Sequence, residues 1–469
     1  MASEPFGDDA PEAACHEDQF PDGTLRPAYA ETLAALERTD LDGLVTAVAE
    51  HVAQANVTFG TEPFVVDPVP RLIDAAEWDE LERGLAQRTR ALNAFLRDAY
   101  GKQRIVDAGL VEHEVIALAE GYEPDLAGNV PTDVAPAAII GFDLIRDPSG
   151  AFLVLEDNLR TPSGLAYLLA ARAALAATLP KGLPIPRPID PAVYELLGAT
   201  LRHAAPDGTD DPFIVLVTDG PGNVAYYEHA RLAEGAGITL VTPDDLIATG
   251  QRLGVRGPGG RLRPVDVVYR RTDEDRVRDE RGWITPIARL LMPAWLSGNI
   301  GLVNAFGNGV ADDKLVHSHV EDFIGFYLEE EPLIRSVPTL ALEDVELGDD
   351  PVARLRRLVI KPRHGHGGAG VTIGSHVSDV ELRALALELR ERPELYIAQP
   401  IVPLSCHPTV IDGRLEPRHL DLRPFAFCAD EVHLAPGGLS RVAFDAGEMV
   451  VNSSQNGGGK DTWVIGESP

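Results

Sequence analysis

The sequence predicts a chain of mixed α/β and α+β class with more than one domain, and three observations carry that reading. A βαβ rhythm runs from Phe213 to Arg271, two apolar strands pair as a hairpin at 137–160, and strands dominate from Val337 onward. At 469 residues there is room for two or three buried cores.

The first twenty residues are rich in Asp and Glu and read as a disordered acidic tail, without the apolar core of a signal peptide. From Glu77 to Tyr100, leucines at 81, 85, 92 and 96 mark a helix. The hairpin PAAIIGFDLIRDPSGAFLVLEDNLRTPSG follows, its Asp147-Pro148-Ser149-Gly150 suiting a type I turn, and then the helix LAYLLAARAALAATL. Pro-rich KGLPIPRPIDP (181–191) marks a boundary. Beyond it come strand FIVLVTD, loop GPGN, helix AYYEHARLAEGAG, strand ITLVT, hairpin RGPGGRLRP and strand VDVVYRR. A further helix starts near Asp312-Asp313-Lys314. These breaks divide the chain into 1–60, 61–180, 181–330 and 331–469.

Charge narrows the partners. With 41 basic and 73 acidic residues the net charge is −32, which repels nucleic acid and anionic membranes. No run of roughly 18 apolar residues exists to span a bilayer. Cys15, Cys406 and Cys428 lack CxxC spacing, so a disulfide framework or zinc site is not expected and a reducing cytoplasm is. Only five lysines stand against 36 arginines, and three of them, Lys314, Lys361 and Lys460, fall in motif-like surroundings. Such positions suit a compact point charge rather than a planar fork.

LVIKPRHGHGGAGVTIG (358–374) puts an apolar strand, a lysine and a glycine-crowded loop in series. A Walker A loop needs its lysine after the glycines, and Lys361 precedes them. The dinucleotide fingerprint needs a helix to open at the loop, whereas VTIG reads as a second strand. What remains is a glycine flap between two strands, with Lys361 near a nucleotide's phosphates and Gly365, Gly367, Gly368 and Gly370 giving the flap its freedom. A glycine-rich hairpin carrying a surface lysine is the plain alternative.

A reacting triphosphate needs magnesium, which prefers hard oxygen ligands. Pairing Arg146 with Ala151 across the turn sets Asp143 opposite Val154, on the face shared by Glu156 and Asn158, with Arg160 continuing the row. Diagonal neighbours of that kind lie about 7–8 Å apart or less.

The trio Asp143…Glu156-Asp157-Asn158 and the lysine strand with its flap resemble the ATP-grasp superfamily. Their order is inverted, Lys361 following the trio by over two hundred residues. Together with DGPGNVAYYEHA, VDVVYRR, GNGVADDK, HPTVIDGRLEPRHLDLRPF and VVNSSQNGGGKDTWV, that inversion resembles the circularly permuted ATP-grasp type 2 family, over nearly everything from about residue 60 to 465. AYLLAAR at 166–172 departs from the pattern, which leads one to expect a glutamate and an asparagine there. The resemblance implies a circularly permuted ATP-grasp fold with a central Rossmann-like (pre-ATP-grasp) domain at 181–330. It makes 61–180 the displaced part carrying the metal trio and 331–469 the nucleotide-clamping part.

Roles follow from the resemblance residue by residue. Asp143, Glu156 and Asn158 would hold one or two magnesium ions, manganese being a substitute. Lys314 would be a second phosphate lysine, and Gln399, Ile401 and Val402 would meet adenine. Arg160, Arg423 and Lys460 would face the transferring phosphate. Gly222, Asn223, Arg270, Arg271 and Arg418 would lie on the substrate side. The implied function is an ATP-dependent carboxylate–amine ligase working through an acyl phosphate and releasing ADP and phosphate, on small-molecule or peptide substrates. A phosphotransferase or thiol ligase, or a nucleotide-binding scaffold without turnover, remain the alternatives.

Overall fold

In the computed structural model, residues 15–20, 22–131, 135–257, 260–365, 370–449, 451 and 457–466 are described. A seven-stranded sheet organises the site, and its order mixes both ends of the chain. Arg335–Ser336 lies at one edge, followed by Phe152–Asn158, Ile139–Arg146, Arg423–Cys428, Val432–Ala443, Gly457–Ile465 and Arg71–Asp74. The join is direct: Phe425 pairs with Gly141, Ala426 with Ile140 and Phe427 with Ile139.

Side-chain alternation then sorts two faces. Ile140, Phe142 and Leu144 enter one core with Trp78, Leu85 and Phe95 of the helix Ala75–Ala99. Ile139, Phe425 and Phe427 pack on the other face against helices Leu165–Thr178 and Asp190–His203. Asp143 has the parity of Ile139 and so stands on the face away from the long helix.

The expected 137–160 hairpin forms, with a different register. Arg146 pairs with Phe152 rather than Ala151, because Asp147 N–H donates to Ala151 O and closes a wider turn. A shift of one residue would set Asp143 opposite Leu155 and turn the acids to opposite faces. A β-bulge at Leu155 restores the parity: Leu144 pairs with Val154, and Asp143 directly with Glu156.

A second, four-stranded antiparallel sheet has the order Leu340–Ala341, Tyr396–Pro400, Leu358–Pro362, Thr372–Ile373. Leu358 and Ile360 pack beneath the helix Asp379–Glu391 with Leu382 and Leu389, so Val359 and Lys361 face the other way. Val359 pairs with Ile373, giving the expected strand–flap–strand; Gly367 and Gly368 lie outside the described residues. The βαβ region forms a parallel sheet ordered Gly301–Val303, Val267–Arg271, Ile214–Thr218, Thr239–Val241.

One expectation fails at the N-terminus. Residues 15–20 are not a tail: His16 bridges to Cys406, and Glu17 is buried, accepting hydrogen bonds from Arg71 (2.6 Å), Arg146 (3.1 Å) and Ser405 (2.6 Å). Acidic composition read as solvation because its two arginine partners stand 54 and 129 residues away. Burial pushes the Glu17 carboxyl up, but Arg146 and Arg71 outweigh it and bring it from 4.5 down to about 2. A lowered carboxyl pKa contributes stability that is present above the unfolded value and lost as pH falls toward the folded one. The contribution is about 3 kcal/mol. Urea unfolding of Glu17→Gln and wild type should therefore show a stability gap at pH 7 that narrows steadily between pH 4.5 and 2. A gap constant with pH would refute the pairing.

Candidate active site

The two sheets face each other across a cleft of about 370 Å³. Lys361 enters from the four-stranded sheet with its Nζ 3.7 Å from Glu156 Oε1 of the seven-stranded sheet. Lys314, opening the short helix Lys314–His317, sets its Nζ 4.0 Å from the same oxygen and donates to Gly365 O at 3.2 Å. Lys361 is buried, and burial together with Lys314 holds its pKa below the ordinary lysine value despite Glu156. Two ammonium groups sharing one carboxylate leave an excess of positive charge facing the cleft, which suits a polyanion.

Asp143, Glu156 and Asn158 all line this cleft, while Asp157 turns its carboxylate back toward the long helix. Asp143 is gripped from both sides. Arg423 Nε and Nη2 donate to its two oxygens at 2.6 and 2.7 Å, and Arg441 Nη2 at 2.8 Å. Burial raises its pKa, but the two guanidinium groups bring it well below the ordinary range. Arg441 also clamps Asp421, whose own carboxyl is pushed up by burial. Sequence patterning missed Arg441, although it sits two residues beyond Leu439 on a strand face that reaches the cleft.

The donor set fits a hard divalent cation. Glu156 is one-third exposed, with Lys314 and Lys361 as ionic partners, and Asp143 keeps a lone pair beyond the three it gives to arginines. Asn158 Nδ2 is buried without a hydrogen-bond partner, so no contact there fixes which end of the amide faces the cleft.

Two buried clusters hold these groups in place. Asp313 caps the Lys314 helix by accepting from Leu315 N and Val316 N, and its carboxylate also pairs with Arg363 at 3.1 Å, two residues past Lys361. Asp157 accepts from Arg88 Nε and Nη2, both at 2.7 Å, and meets His317 Nδ1 at 2.7 Å. Both lysines and the acid hairpin are thus cross-linked behind the cleft.

One end of the cleft is apolar, lined by Val337, Val359, Ile373, Val402, Leu404 and Met449. Gln399 lines it too, its Nε2 donating to Thr339 Oγ1 at 2.8 Å. Ile401 does not; its N–H donates to Arg357 O. Arg160 lines the cleft, pairing with Asp312 at 2.9 Å and Asp275 at 3.3 Å.

Several expected residues stand elsewhere. Lys460 is fully buried on its strand, salt-bridged to Asp67 and donating to Pro408 O, outside the cleft, because Gly457–Ile465 is a paired strand that turns it into the core. Arg418 donates to Phe444 O and also lies outside it. Arg271 donates to Pro162 O, Ser163 Oγ and Glu228, and so fixes the 162–164 loop rather than offering a free fork. Arg270 is buried against Phe306, 4.8 Å from the ring centroid, and does not line the cleft. Asn223 donates to Asp219 within its own loop and to Asp273 just past the strand Val267–Arg271, and with Pro221 it borders a separate cavity. Gly222 faces open space in that loop and lines neither cavity.

A nucleotide-sized cleft between two sheets, with Lys361 on one, Asp143 and Glu156 on the other and Lys314 at a helix start beside them, defines an ATP-grasp protein. The chain belongs to the circularly permuted ATP-grasp type 2 family, whose model matches residues 70–443. An uncharacterized protein of Mycobacterium bovis is 41% identical over 453 residues, covering 94% of this chain and 82% of that one. A Frankia alni protein named "Putative glutamate--cysteine ligase 2-3" is 40% identical over 455 residues; the match covers 94% of this chain and 53% of that longer one. Among solved structures, a glutathione synthetase-like effector from Globodera pallida shares the fold, with a TM-score of 0.54 at 11% identity, over 91% of this chain and 98% of that one. Among the described residues, no helix is long and apolar enough to cross a membrane.

Proposed function

We propose that the protein is an ATP-dependent carbon–nitrogen ligase that joins a carboxylate to an amine through an acyl phosphate. The observation that supports this best is the approach to Glu156 of Lys361, from a separate sheet, and of Lys314, from the short helix it opens, within 3.7 and 4.0 Å. The apolar end of the cleft would take adenine, and the lysines would hold the phosphates. Magnesium or manganese, held by Asp143, Glu156 and Asn158, would neutralise charge on the β and γ phosphates. Arg423, kept rigid by Asp143 and by Ser163 O at 3.1 Å, would face the transferring group.

A substrate carboxylate oxygen attacks the γ phosphorus, the bond to the β–γ bridging oxygen breaks, and ADP leaves with that electron pair. An amine nitrogen then adds to the acyl carbon; phosphate departs and takes up the proton the nitrogen gives up. No side-chain nucleophile is required, so positioning and charge stabilisation carry the rate. Closure over the intermediate keeps water from it.

The test is an ADP-release screen of the full chain with MgATP and pooled amino acids and peptides, followed by mass spectrometry of the product. ADP that forms only when acid and amine are both present, with an amide product, is the expected result. A stable phosphorylated product or a thioester would replace this reaction, and tight MgATP binding with no ADP from any pool would make the protein a scaffold.

A further inference from the structure

We infer that the cleft beyond Arg423 is a seat for an uncharged apolar or aromatic side chain of the acid substrate, an inference that rests on the ligase reading above. Along the strand Ile139–Arg146, Ile145 borders the apolar end, Asp143 stands in the middle, and Gly141 lies beside Pro162 and Phe425. On that far side the cleft is walled by Phe59, Phe64 and Tyr167. The rings brace one another, Phe64 to Tyr167 at 4.8 Å and Phe59 to Tyr167 at 5.9 Å between centroids. Tyr167 donates its hydroxyl to Thr58 O at 3.0 Å, which fixes its ring, and burial pushes its pKa up so that the phenol stays neutral.

The floor is shaped by Gly164. Its φ of +134° is open to glycine, and a Cβ there would lie 3.0 Å from Phe425 Cζ and 3.4 Å from Leu439. Every charge that borders this recess is already matched. Glu228 is fully buried and accepts from Gly164 N, Ala166 N and Arg271. Arg423 and Arg441 are held by Asp143 and Asp421. The helix that supplies Tyr167 carries no charged residue before Arg172. A carboxylate or ammonium side chain would be desolvated there without a partner, whereas an apolar one loses nothing. Glutamate, the acid in the Frankia relative's name, is the wrong shape of charge for this seat.

The test uses the full chain with MgATP, hydroxylamine as acceptor, and L-phenylalanine, L-leucine, L-glutamate and L-aspartate as acids, reading hydroxamate and ADP. Phenylalanine or leucine should exceed glutamate in kcat/KM by about 10–100-fold. Phe59→Ala, at a half-buried hairpin position, should raise KM for the preferred acid about tenfold while leaving KM for ATP in place. Turnover of glutamate equal to or above the apolar acids, or an acid KM untouched by Phe59→Ala, would overturn the seat and leave the ligase reading standing. Acid-independent ADP release, or none with any acid, would remove both.

Discussion

Glu156→Gln is expected to cut acid-dependent ADP release by about a thousandfold while shifting the thermal midpoint by no more than about 2 °C. The side chain is one-third exposed and its ionic partners are Lys361 and Lys314, so the fold asks little of it. Its replacement removes a negative charge from between two ammonium groups. Nucleotide affinity should consequently hold or rise, because the lysines then have only the phosphates to face, and the loss should fall on kcat. That split separates a role in turnover from one in ATP binding. Asp143→Asn is a less clean probe, since it also weakens the partner of two buried arginines, Arg423 and Arg441. Turnover by Glu156→Gln at the wild-type rate would take Glu156 out of the metal set.

Much of this arrangement is legible because its signals are local. Lys361 ends an apolar strand and precedes glycines; Asp143 and Glu156 share a hairpin whose turn residues announce it. Alternation with period two then predicts which side chains share a face, and here it reached the right face by the wrong register. The turn at 147–151 is one residue wider than its composition implies, and the bulge at Leu155 offsets it. No residue type marks a bulge of that kind, since Val154, Leu155 and Glu156 fit a regular strand equally well.

What stayed illegible is the set of buried ion pairs that tie remote segments together. Glu17 with Arg71 and Arg146, Lys460 with Asp67, Asp313 with Arg363, and Arg88 with Asp157 join residues 50 to 393 positions apart. Each residue alone resembles a solvated surface charge, and nothing periodic distinguishes it. Lys460 is the sharpest case. A lysine after three glycines resembles a loop tip, but the glycines are there to pack: a Cβ on Gly459 would sit 2.6 Å from Phe64, and one on Gly458 2.6 Å from Phe444. Arg271 misled for the opposite reason. It ends a parallel strand where ligands commonly bind, yet its fork is filled by the 162–164 loop that shapes the cleft floor.

The second large effect lies behind the cleft. Asp157→Ala is expected to destabilise the protein by about 3–5 kcal/mol, because it leaves the Arg88 guanidinium buried without its carboxylate. Asp157 and Arg88 are both fully buried, and their paired hydrogen bonds measure 2.7 Å each. Arg88 would retain Ser336 Oγ at 3.0 Å and His317 Nδ1 at 3.1 Å, neither of which carries a compensating negative charge. Replacing both partners, as Arg88→Met with Asp157→Leu, should recover most of the loss, since the desolvation penalty of two ions disappears with them. Activity should not recover in step. Asp157 lies between Glu156 and Asn158 and binds His317, at the far end of the helix that Lys314 opens, so the pair sets the distance between hairpin and helix as well as the stability. Urea unfolding together with ADP release separates the two: a double variant that is stable but slow identifies a positioning pair. A double variant restored in both would mean the cleft keeps its geometry without this cross-link, leaving Asp313 and Arg363 to hold Lys314 in place.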